Sequence, residues 1–94
     1  MRFTIALTVT FAQLRSFSEV ARLGSVTQAA HALGVTEPAV SSAVGALRRE
    51  LGDDLFVRTR TGIDLTPGGR RLALAASEIL LAAETARDDF RAMH

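Results

Sequence analysis

Cysteine and lysine are both missing from this chain of 94 residues. Without Cys there is no disulfide, no thiolate metal site and no Cys nucleophile. A reducing compartment suits such a composition, and a cytoplasmic location is the expectation. Without Lys, all eleven cationic side chains are Arg, whose planar fork pairs with phosphates and guanine edges. The codon bias of a G+C-rich genome would produce the same Arg excess, and the near balance of charge, +1, argues neither way. No stretch approaches the roughly 20 apolar residues of a membrane-spanning helix. Residues 1–9, broken by Thr4 and Thr8, lack the long apolar run and cleavage site of a signal peptide. They are read as a leader or a short arm on a soluble chain. Catalytic groupings are missing as well. The pairs Asp53-Asp54 and Asp88-Asp89 have no His beside them, and adjacent acids point in different directions on a helix or strand. His31 is placed on a solvent-facing part of a helix and His94 is terminal. Gly68-Gly69-Arg70 lacks the Gly-x-x-x-x-Gly-Lys-Ser/Thr frame of a phosphate loop. The expectation is no enzyme, no metal and no cofactor.

What is present is a run of helical patterns punctuated by glycine. From Thr10 to Leu23, Phe11, Leu14, Phe17 and Ala21 share one face, with Arg15, Glu19 and Arg22 turned away. Gly24 closes that helix. Ser25 or Thr27 then caps a second helix through Ala29, Ala30 and Leu33 to Gly34. A third opens at Thr36-Glu37-Pro38, with Thr36 as cap and Pro38 in the first turn, where its missing N–H costs nothing. Val40, Val44, Leu47 and Leu51 recur at helical spacing and mark its buried face. Pro38, Ser42, Gly45, Ala46 and Arg49 lie opposite, a small, polar or basic surface. A helix with so smooth an outer face fits the major groove of DNA. The pattern reads as a helix-turn-helix with its recognition helix at about Thr36 to Leu51.

Beyond Gly52 the texture changes. Leu55-Phe56-Val57 reads as a short strand, Arg58 to Gly62 as a polar turn and Ile63-Asp64-Leu65 as the return strand. A lone hairpin is marginal, so Leu55, Phe56, Ile63 and Leu65 are expected to lean on the helices. Its tip carries Arg58, Arg60, Thr59 and Thr61 with no acid, the composition of a wing that touches nucleic acid. Thr66 caps and Pro67 starts a long final helix, whose opening turn Gly68 and Gly69 are expected to weaken. Leu72, Ala76, Ile79, Ala83, Ala86 and Phe90 then form a heptad seam, with Leu80 beside it. A helix of about 25 residues spans roughly 37 Å, too long for a small core to cover. Half of it is expected to pack on a second copy. The fold class is therefore mainly α: a winged helix-turn-helix of three helices and a two-stranded wing, then a long dimerisation helix. The division is residues 1–9 as leader or arm, 10–66 as the DNA-binding unit and 67–94 as the linker helix. Arg48-Arg49 suits either a phosphate contact at Arg49 or a solvated helix end favoured by the dipole. Arg70-Arg71, near a helix start, calls for an anion nearby or is a bland surface.

Taken together, FAQLRSFSEVARLGSVTQAAHALGVTEPAVSSAV and LRRELGDDLFVRTRTGIDLTPGGRRL resemble the N-terminal DNA-binding domain and linker helix of LysR-type transcriptional regulators. The resemblance covers about five-sixths of the chain, from Phe11 to Phe90. It implies homodimers joined through antiparallel linker helices and promoter binding as a dimer of dimers, a tetramer expected only of a longer chain. It also implies a following effector-binding domain, to which any small-molecule effector would belong. Carried over by motif position, the major groove is read by Glu37, Pro38, Ala39, Ser41 and Ser42. Gln28, Thr36 and Arg49 join the DNA-binding set, with Arg58, Arg60 and Thr61 from the wing, which in the family reaches toward the minor groove. The dimer interface would be Leu72, Ala76, Ile79, Leu80, Ala83 and Phe90. Three residues depart from the family pattern. Glu37 stands where Gln is common and would accept from cytosine rather than read adenine. Ser42 stands where Arg is frequent. Gly45 replaces a larger residue, costing about 0.5–1 kcal/mol of helix stability relative to Ala. The rival reading is a dimeric interaction module that uses the same fold without binding DNA.

Overall fold

The computed structural model describes residues 8–94. The leader expected over residues 1–9 thus lies outside the described residues except for Thr8 and Val9. Val9 packs against the core, and the Thr8 hydroxyl donates to the Glu50 carboxylate. The elements are α1 (Phe11–Leu23), α2 (Val26–Leu33), α3 (Glu37–Leu51), β1 (Phe56–Thr59), β2 (Gly62–Leu65) and α4 (Pro67–Ala92). This is a three-helix unit with a two-stranded wing and a long final helix.

Each helix starts where a hydroxyl caps it. Thr10 forms a full capping box with Gln13, Ser25 accepts from the Gln28 N–H, Thr36 from Ala39 and Thr66 from Gly69. Such caps satisfy N–H groups that have no intrahelical partner. Of the two candidates for α2, Ser25 and not Thr27 is the cap. The first three helices end on left-handed Gly24, Gly34 and Gly52.

The core joins Leu14, Phe17 and Val20 of α1 to Ala29 and Ala30 of α2 and to Val40, Val44 and Leu47 of α3. Leu55, Phe56, Ala76 and Leu80 complete it. Phe17 and Phe56 stack with ring centroids 5.1 Å apart, so the wing is anchored through an aromatic pair. Two apolar residues expected in this core are not there. Phe11 is 60% exposed, because at 100° per residue it lies well off the arc of Leu14, Phe17 and Val20. Ala21 packs against the core but is only half-buried, and the buried face extends on the other side of Phe17 to Val20. Leu51, on the last turn of α3, runs past the end of the core and is 45% exposed.

The strands pair antiparallel with register Phe56↔Leu65, Val57↔Asp64, Arg58↔Ile63 and Thr59↔Gly62. This shifts the expected hairpin. Leu55 has φ 67°, a left-handed conformation that cannot begin a strand, so β1 starts one residue later. Pairing continues through Thr59, which places Arg58 in the strand and leaves only Arg60-Thr61 at the tip.

The opening of α4 also differs from expectation. Gly68 and Gly69 do not merely weaken it. A Cβ at Gly69 would overlap the Leu55 carbonyl oxygen, and one at Gly68 would overlap Asp53 Oδ2. Both glycines allow a close approach that no other residue permits. Further along, the heptad seam divides. Ala76 is fully buried and Leu80 nearly so in the chain's own core, and Leu72 packs against that core. Ala76 and Leu80 therefore serve the fold, with no exposed surface at Ala76 and little at Leu80. Ile79 and Phe90, at 43% and 64% exposure, do not share that contact. Past Glu84 every residue of α4 is exposed.

Candidate nucleic-acid interface

The short α2–α3 connection projects the N-terminal turn of α3 outward. Thr36 Oγ1 accepts from the Ala39 N–H at 3.2 Å, which fixes the direction of that turn. Glu37, Pro38, Ala39, Ser41 and Ser42 follow it and are all exposed. Glu37 stands in the first turn, where the helix dipole favours an anion. Burial of Val40, Val44 and Leu47 on the other side sets the rotation of the helix. Its outer stripe is therefore Pro38, Ser42, Gly45 and Arg49, spaced at one turn each. Arg49 runs back along this stripe, its guanidinium 3.5 Å from where a Gly45 Cβ would sit. Gln28 is exposed on the first turn of α2, its own N–H given to Ser25.

One flank of α3 faces the wing across a cleft. Ser41, Val44 and Arg48 line its helical side, and Phe56, Val57, Arg58 and Ile63 line its strand side. Arg48 is committed there, with Nε donating to the Asp54 carbonyl at 2.8 Å. It pins the end of α3 to the wing's entry, so Arg49 is the freer of the pair. Arg60 and Thr61 stand exposed at the hairpin tip. Thr59 Oγ1 donates to the Gly62 carbonyl beneath them at 3.3 Å.

The charges divide by location. Arg15, Arg22, Arg70 and Arg87 each pair with a carboxylate, on Glu84, Glu19, Asp64 and Asp88 respectively. The anion expected near Arg70 is thus Asp64, at a long 3.9 Å. Among the described residues no ion pair engages Arg49, Arg58 or Arg60. Arg71 and Arg91 on α4 likewise have no ion pair among the described residues. Arg49 on α3 and Arg58 and Arg60 on the wing are therefore free to meet an external anion. The residues Gln28, Thr36, Glu37, Pro38, Ala39, Ser41, Ser42, Arg49, Arg58, Arg60 and Thr61 are all exposed, and Ser41 and Arg58 meet across the cleft between α3 and the wing.

Two residues that shape this surface stand out little in the sequence. Arg48 reads there as the twin of Arg49, and its capture by a carbonyl six residues on has no sequence mark. Asp53 reads there as half of an acidic pair. Its Oδ1 accepts from the Leu55 N–H at 2.7 Å and from the Thr66 hydroxyl at 2.8 Å. These two bonds hold its carboxyl below the ordinary aspartate range. An Asp placed to accept from the N–H two residues on, as in an Asx-turn just ahead of a strand, is the one available signal.

Residues 11–70 match the model of the bacterial regulatory helix-turn-helix proteins of the lysR family. A curated relative, an uncharacterized HTH-type transcriptional regulator of Mycobacterium tuberculosis strain H37Rv, is 53% identical over 87 residues, which is 92% of this chain and 27% of that protein. A Corynebacterium glutamicum OxyR mutant superposes with a TM-score of 0.88 at 32% identity, over 94% of this chain and 28% of that one. The DNA-binding domain of CbnR, solved as a DNA complex, matches with a TM-score of 0.80 at 36% identity, over 89% of this chain and 97% of that one. The chain spans about a quarter of the length of the curated relatives it matches. No helix among the described residues is long and apolar enough to cross a membrane. With its capped α2–α3 pair, its wing and its long α4, the chain belongs to the lysR family of bacterial helix-turn-helix regulators.

Proposed function

We propose that this chain is the sequence-reading part of a bacterial cytoplasmic transcriptional regulator, binding double-stranded DNA with α3 in the major groove and the wing at the minor groove. The observation that carries the reading is the set of unpaired arginines, Arg49, Arg58 and Arg60, around an α3 face with no large apolar residue. Glu37, Pro38, Ala39, Ser41 and Ser42 face base edges. The Ala39 methyl suits a thymine methyl, and the Ser hydroxyls suit bases or phosphates. Gln28, Thr36 and Arg49 hold phosphates beside them, aided by the positive end of α3. Arg60 and Thr61 approach the minor groove, with Arg58 behind them. The fold it shares with CbnR, whose domain was solved on DNA, supports this assignment. Residues 10–66 form the DNA-binding unit and residues 67–94 the linker, through which two copies associate.

The test is selection from a pool of random duplexes at two salt concentrations. Enrichment of a palindromic site, with a T and an A at fixed spacing and with retention falling steeply as salt rises, is the expected result. A folded dimer that enriches nothing at either salt would favour the interaction module instead.

A further inference from the structure

The segment between α3 and β1 is held more tightly than a connector requires. Leu55 adopts the left-handed conformation at φ 67°, a strained state for a non-Gly residue that persists only where its surroundings impose it. Here they do. Its N–H donates to Asp53 Oδ1 at 2.7 Å, its carbonyl accepts from the Thr66 N–H at 3.0 Å, and its side chain is 1% exposed. The same Asp53 oxygen accepts from the Thr66 hydroxyl at 2.8 Å, and that hydroxyl oxygen caps α4 by accepting from the Gly69 N–H at 2.8 Å. One carboxylate oxygen thus joins the entry of the wing to the first turn of α4. The other oxygen lies where a Gly68 Cβ would collide with it. On the α3 side, Arg48 grips the Asp54 carbonyl. The wing leaves the body through this junction at both ends, since β1 begins at Phe56 and β2 ends at Leu65.

We propose that Asp53 is the positioning residue of the wing, its Oδ1 fixing the hairpin's angle to α3 and α4 so that Arg60 and Thr61 reach DNA in register. Asp53 touches no DNA itself. The inference rests on the DNA-binding reading above, and it deepens that reading by assigning the wing's aim to a residue outside the contact surface. Phe56 is the one fully buried residue of the hairpin, with Ile63 and Leu65 half-buried against the core, so the bonds of Asp53 act beside this packing in setting the hairpin's angle. A site left loose by about 1 Å loses much of its function.

Two measurements test it, one without DNA. Spin labels at Thr61 and at the exposed Ser77 of α4, with labelled chain diluted in unlabelled chain, should give a narrow distance distribution in the parent. Asp53→Ala should broaden it, and Asp53→Asn, which keeps an acceptor oxygen in the same place, should restore it. An Asp53→Ala distribution as narrow as the parent's would overturn the proposal. The second measurement is a double-mutant cycle on DNA affinity. Asp53→Ala should weaken binding by roughly three- to tenfold, a loss of the size a single well-placed contact supplies. Combined with Arg60→Ala it should add nothing further, while combined with Ser42→Ala the losses should multiply. Multiplying losses with Arg60→Ala would reduce Asp53 to a general stabiliser and overturn its role in aiming the wing. If Arg60→Ala alone left affinity unchanged while Asp53→Ala broadened the distances, the wing's contact with DNA would fall and the positioning role would stand.

Discussion

At Gly69 the backbone of α4 lies against the Leu55 carbonyl, so the smallest possible side chain already overlaps it. Elsewhere in a helix Gly→Ala gains about 1 kcal/mol. Here overpacking reverses the sign, and Gly69→Ala should lower stability by about 1–3 kcal/mol. Urea unfolding is the check, and a stabilised variant would contradict the close approach. Asp53, a few ångströms away, gives a pH signature. The bonds from Leu55 and Thr66 lower its folded pKa, so its ionised form adds stability above the unfolded value. That stability is lost as pH falls through the folded value. The melting temperature of Asp53→Asn should therefore lie below that of the parent at neutral pH, with the gap closing in acid. A gap that widened on acidification would mean that the carboxylate is not held as described. Neither effect is visible in the sequence, where Gly68-Gly69 reads as a flaw in a helix and Asp53-Asp54 as an unremarkable acidic pair.

The helices were legible and the wing only partly so, for a physical reason. Helix limits are written locally: Thr10, Ser25, Thr36 and Thr66 cap the N–H groups just behind them, and Gly24, Gly34 and Gly52 end the first three. The wing's limits depend on Leu55, an ordinary residue held in a left-handed conformation by partners on both sides. Reading Leu55 as a strand residue moved Arg58 into the turn, whereas it sits in β1 beside the cleft lined by Ser41. This placement separates two kinds of variant. Replacing Arg60 with Ala at the tip should weaken binding to all sequences alike and reduce the salt slope by about 1. Replacing Glu37 with Ala on α3 should instead change which half-site is preferred, with a discrimination change of about 1–3 kcal/mol at one base pair. Titration of each variant against the selected site and its single-base relatives distinguishes them. An unaltered preference in Glu37→Ala would remove that residue from the readout.

Across the whole molecule, the long helix offers two roles, packing on its own core and pairing with a second copy, that a heptad pattern cannot tell apart. A seam records which residues are apolar at a given spacing, and burial in the chain's own core and burial against a partner leave the same record. The structure shows which of these residues the chain's own core takes up. Leu72, Ala76 and Leu80 pack on the three-helix unit, while Ile79, Ala82, Ala86, Phe90 and Met93 form an exposed stripe about 80° around the helix. Leu74 and Leu81, at 73% and 64% exposure, lie on a different side. If two copies associate through the stripe, Ile79→Glu and Phe90→Glu should each give monomers, because a buried unpaired carboxylate is costly. Leu81→Glu should leave the dimer intact, and Ala76→Glu should unfold the chain before it reports on association. Light scattering gives the mass and circular dichroism the fold. The Ile79→Glu monomer should still bind a single half-site, since α3 and the wing are far from the stripe, but it should lose its preference for palindromes. A dimeric mass for both stripe variants, with Leu81→Glu monomeric, would move the interface to the Leu74–Leu81 side of α4.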